Sequence, residues 1–69
     1  MGARVEVNGE LRTLAAETIE ALLRAERIDP QARGVAVALN GAVVPRRRWS
    51  QTPIAAGDRI EIVKPFSGG

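Results

Sequence analysis

The stretch ARVEVNGELRTL, residues 3–14, decides how the chain begins. Val5 and Val7 alternate with Arg4 and Glu6, the period of two expected of a strand with one dry face and one wet face. Asn8-Gly9 follows at once, and that dipeptide accepts the positive φ angles of a two-residue hairpin turn. Glu10 to about Leu14 should therefore return as an antiparallel partner, so the chain opens on a β-hairpin.

Beyond the hairpin the period changes. Ile19, Leu22 and Leu23 recur at i, i+3 and i+4, with Glu17, Glu20, Arg24 and Arg27 on the other faces, which predicts an amphipathic helix of about ten residues. Thr18 is placed to cap it, and Glu20 early and Arg24 and Arg27 late suit the helix dipole. Asp29-Pro30 predicts its end, because the residue before proline avoids the α region. Val35 to Leu39 then reads as a strand with Val35, Val37 and Leu39 inward and the small Ala36 and Ala38 on a smooth second face. Asn40-Gly41 signals another turn, and Val43-Val44 a short edge strand that Pro45 terminates. PRRRWSQTPIAAGD, residues 45–58, is irregular until Gly57-Asp58 turns the chain into the last strand, RIEIV, residues 59–63.

One helix and four or five strands, most with a single apolar face, predict an α+β roll: a mixed sheet covered by the helix on one side and open on the other. A hairpin, a helical crossover and a final strand near the middle make this the β-grasp, or ubiquitin-like, arrangement. Residues 1–63 are expected to be the folded domain and 64–69 a flexible tail.

Composition narrows the function classes. A chain of 69 residues is one small domain, and with no Cys and no His it has neither disulfides nor a thiolate or imidazole zinc site. The same absences remove Ser-His-Asp and Cys-His catalysis and the usual general base near neutrality, so an enzyme is not expected. Arg4, Glu6 and Glu10 break the N-terminal stretch, no apolar run is long enough to span a membrane, and a cytoplasmic location is expected. Net charge is only +2, and Arg46, Arg47 and Arg48 beside the single Trp49 are a short run with one stacking surface. A solvated loop with Trp49 against the core is favoured over an RNA-binding platform, so no nucleic-acid partner is expected.

VNGE (7–10), GVAVALN (34–40), VPRRRW (44–49), GDRIEIV (57–63) and the closing Gly68-Gly69 together resemble the ThiS-type sulfur carriers of thiamine biosynthesis. The resemblance implies a protein that is itself a substrate. A ThiF-type adenylyltransferase, using ATP and Mg²⁺ that this chain does not itself bind, converts the carboxylate of Gly69 into an acyl adenylate. Sulfur from a donor such as a cysteine desulfurase persulfide then takes the place of AMP, any acyl disulfide so formed being reduced by a thiol, and the thiocarboxylate left passes sulfur to thiazole synthase. A carboxylate lacks a good leaving group and a mixed anhydride with AMP has one, which is why activation needs ATP.

The tail suits such a route. Lys64 to Gly69 span roughly 20 Å if extended, and Gly68 and Gly69 carry no side chains to block a narrow channel. Pro65 should stiffen the exit, Phe66 is placed to anchor the tail, and Ser67 completes the approach. Ala36, Ala38, Val63 and Phe66 are expected to form an apolar docking patch, with Arg46 contacting an acidic partner surface. A molybdopterin synthase small subunit and a ubiquitin-like protein modifier share the fold and the Gly-Gly end, and stand as alternatives.

Overall fold

Both Asn-Gly dipeptides form hairpin turns in the computed structural model, which describes residues 2–65. Asn8 and Gly9 have φ of 50° and 85°, Asn40 and Gly41 of 50° and 86°, the paired positive angles that match a turn to the twist of its flanking strands. The first joins β1 (Ala3–Val7) to β2 (Glu10–Leu14), and the second joins β3 (Ala36–Leu39) to β4 (Ala42–Val43). β4 lies one residue earlier than the sequence suggested, since a two-residue turn opposes Leu39 to Ala42 and leaves Val44 beyond the ladder.

The last strand, β5 (Arg59–Val63), takes the centre of a five-stranded sheet of order β2-β1-β5-β3-β4. It pairs parallel with β1 and antiparallel with β3. The parallel ladder covers only Glu6 with Arg59 and Val7 with Ile60, because β1 turns away at Asn8. The Asn8 side chain supplies the next rung: its Oδ1 accepts the Ile62 N–H at 2.7 Å. At the other end of β5, Asn40 Oδ1 accepts the Arg59 N–H at 2.8 Å, and its Nδ2 donates to Asp58 at 3.0 Å.

The helix α1 spans Ile19–Ala25, seven residues rather than about ten, and Asp29-Pro30 does not end it. A Schellman motif ends it earlier: the Arg27 N–H reaches the Arg24 carbonyl at 3.0 Å and the Ile28 N–H the Leu23 carbonyl at 2.8 Å. This requires Arg27 at φ 62°, a conformation that glycine occupies without cost. A helix this short is marginal alone, and its N-terminal donors are satisfied from outside. The N–H groups of Ile19 and Glu20 bond the carbonyls of Thr52 and Trp49, each at 3.1 Å. Thr18 caps as expected, its Oγ1 accepting the Ala21 N–H at 3.1 Å. The irregular segment read from the sequence thus includes a 3₁₀ turn at Arg46–Arg48 and is sewn to the helix N-terminus.

Between helix and sheet lies one core: Val5, Val7, Leu14, Ile19, Leu22, Leu23, Val35, Val37, Trp49, Ile60 and Ile62. Trp49 is fully packed, and its ring N–H donates to the Val44 carbonyl at 2.8 Å. At the other end of α1, Arg12 of β2 forms a bidentate pair with Glu26, with contacts of 2.8 and 2.6 Å. The hydrogen bond and charge of Arg12 hold the Glu26 carboxyl below its ordinary value, against the opposing effect of partial burial.

Replacing Arg27 by glycine should relieve the left-handed backbone and raise stability by about 0.5–1 kcal/mol, measured by urea unfolding. The Arg12–Glu26 pair gives a pH signature. Because Glu26 has a depressed folded-state value, its stabilisation is complete above the unfolded carboxylate range and is lost as pH falls through the folded value. The stability gap between wild type and Glu26→Gln should therefore be present at neutral pH and close in acid.

Candidate interaction face and tail root

Alternation along β5 sends Ile60 and Ile62 into the core and Arg59, Glu61 and Val63 to the open side of the sheet. The neighbouring registers fix what surrounds Val63: it opposes Ala36, while Ala38 lies between Glu61 on one side and Val43 of β4 on the other. Ala36, Ala38, Val43 and Val63 thus form one apolar patch on the face away from the helix. Val63 is 62% exposed and Val43 76% exposed, so large aliphatic groups stand in solvent with no cover among the described residues. A row of charges, Glu6, Arg59 and Glu61, borders the patch and separates it from the exposed Leu11 at the far strand.

Three of the expected docking residues, Ala36, Ala38 and Val63, are therefore brought together. Val43 joins them although the sequence reading did not single it out. Its signal was the two-residue Asn40-Gly41 turn, which fixes the register that places Val43 opposite Ala38. Arg46 is not brought to this patch. Its guanidinium donates to the Pro30 carbonyl and, at 2.6 Å, to that of Ala32, and it stacks 4.8 Å from the centre of the Trp49 ring. It ties the 30–32 loop to the 3₁₀ turn on the helix side of the sheet. Phe66, Ser67, Gly68 and Gly69 lie outside the described residues.

The tail root adjoins the patch. β5 ends at Val63, the residue paired with Ala36, and exposed Lys64 and Pro65 follow directly. The Asn8 bond to the Ile62 N–H is one residue before that end, so the exit is fixed from both neighbouring strands. A groove of about 440 Å³ lies between Glu6, Asn8, Gly9, Arg59 and Glu61 on this face. The geometry offers an apolar platform running into the start of a C-terminal segment, which is a means of docking and delivery.

Among known proteins, the model of the ThiS family matches residues 5–69. The sulfur carrier protein ThiS of Escherichia coli K12 is 34% identical over 59 residues, covering 86% of each chain. A thiazole synthase of Paramagnetospirillum magneticum is 39% identical over 67 residues; the match takes in 96% of this chain and only 20% of that relative. The crystal structure of a thiamine biosynthesis protein (ThiS) from Geobacter metallireducens superposes with a TM-score of 0.76 at 35% identity, covering 96% of this chain and 99% of that one. Its solution structure gives a TM-score of 0.73 at 33% identity, with 96% and 86% covered. A sheet with its final strand at the centre, one helix across it and a family match that runs through both terminal glycines lead to one conclusion: the chain belongs to the ThiS family of β-grasp sulfur carrier proteins.

Proposed function

We propose that the carboxylate of Gly69 is adenylated by a ThiF-type enzyme and converted to a thiocarboxylate that supplies sulfur to thiazole synthase. The observation that carries this reading is the family match extending through Gly68 and Gly69, joined to a body whose central strand ends at Val63, five residues before Gly68. The thiamine and thiazole names of the relatives favour the thiazole branch over molybdopterin. The 39% identity to one fifth of a thiazole synthase supports a link between this carrier and the thiazole-forming step.

In this reading the patch of Ala36, Ala38, Val43 and Val63 docks on the adenylating enzyme and residues 64–69 enter its active site. Burial of aliphatic surface at about 25 cal/mol per Å² holds the body, and the tail brings the carboxylate to ATP. The chemistry then belongs to the partner, and this chain contributes position and an acyl carbon.

Intact mass spectrometry after incubation with a ThiF-type enzyme, ATP, Mg²⁺ and a sulfur source should show one oxygen exchanged for sulfur at Gly69. A protein lacking Gly69 should show no exchange, and equal incorporation in that sample would refute the assignment. Val43→Lys, at a patch position that is 76% exposed, should leave stability within about 0.5 kcal/mol and raise the KM for adenylation. Ala38→Glu should also raise KM, and in addition lose about 0.2–1 kcal/mol of stability because it faces Glu61; unchanged adenylation kinetics in both variants would remove the patch from the mechanism.

A further inference from the structure

The antiparallel register of β3 and β5 runs Leu39 with Ile60, Val37 with Ile62 and Ala36 with Val63. Extended by two residues, the same register opposes Gly34 to Pro65. No ladder hydrogen bond from residue 65 is available there, because proline has no N–H, and Gly34 leaves the strand conformation at φ 81°. What remains is a contact. A β-carbon on Gly34 would lie 3.1 Å from Pro65 Cβ, 3.4 Å from Cγ and 3.5 Å from Cδ, so a side chain at position 34 would press on the Pro65 ring, which would have to give by a few tenths of an ångström.

We propose that Gly34 is a positioning residue for the C-terminal segment: its bare α-carbon seats the Pro65 ring and sets the direction in which the chain leaves the body. This rests on the carrier reading above. The positive φ and the close approach both call for glycine, and the second has a consequence beyond folding. Pro65 begins the run into Gly69, so a ring pushed aside by a side chain at position 34 changes where that run starts. A misplacement of about 1 Å carried to a reacting group costs up to about 100-fold in rate. The docking patch lies on other residues and would be untouched.

A double-mutant cycle tests this. Gly34→Asn carries a β-carbon into the ring's space while its backbone tolerates positive φ, and Pro65→Gly removes the ring. In adenylation by a ThiF-type enzyme, Gly34→Asn should lower kcat by about 10- to 100-fold with KM unchanged. In the Pro65→Gly background the same substitution should have no further effect. An equal kcat loss in both backgrounds, or an effect confined to KM, would overturn the proposal. Nuclear Overhauser contacts between the Gly34 α-protons and the Pro65 ring protons in the wild type provide a second readout that needs no enzyme; their absence would also overturn it. Failure of the wild-type protein to be adenylated at all would instead refute the carrier reading, and the Overhauser contacts would still decide whether Gly34 seats the ring.

Discussion

Two asparagine side chains hold the central strand at its ends, Asn40 at the Arg59 N–H and Asn8 at the Ile62 N–H. Each asparagine sits in the left-handed region because a hairpin turn demands it, and each turns its amide oxygen to a β5 donor that the truncated ladders would leave open. Much else depends on β5. Its inner residues Ile60 and Ile62 meet the helix, its outer Val63 completes the apolar patch, and its end is the root of the C-terminal segment. One strand joins the core, the apolar patch and the start of the C-terminal segment.

The economy of so small a domain lies in sharing partners between elements. The seven-residue helix takes its first donors' acceptors from Thr52 and Trp49, and Trp49 returns its ring N–H to Val44 while stacking under Arg46. Arg46 in turn fixes the loop after the helix through two carbonyls. These contacts lie on the helix side of the sheet and leave the opposite face free of covering elements among the described residues. The two sides of the sheet are thus divided: one builds the fold and the other remains available.

What could be read from the sequence was what is encoded locally. The Asn-Gly turns, the alternation of Val5 with Val7 and of Ile60 with Ile62, and the Thr18 cap each state their conformation within a few residues. The helix end was misjudged because an arginine occupies the left-handed position at which glycine or asparagine would have signalled a stop. The 3₁₀ turn and its bonds to the helix were invisible because they are tertiary. Arg46, given an acidic partner surface from the sequence, donates in the fold to two backbone carbonyls 16 and 14 residues away, contacts that no local pattern encodes. Val43 belongs to the patch through register, which the Asn40-Gly41 turn encodes only once its two-residue length is known.

The central claim is that the open face of the sheet, from β4 across β3 to the end of β5, is the surface by which the partner positions the terminus. Titration of isotope-labelled protein with a ThiF-type adenylyltransferase, followed by amide chemical shifts, tests it most directly. The account predicts perturbations concentrated at residues 36, 38, 43 and 61–65, with α1 and the Arg46–Arg48 turn unaffected. Perturbations centred on α1 or on that turn, with the sheet face silent, would contradict it.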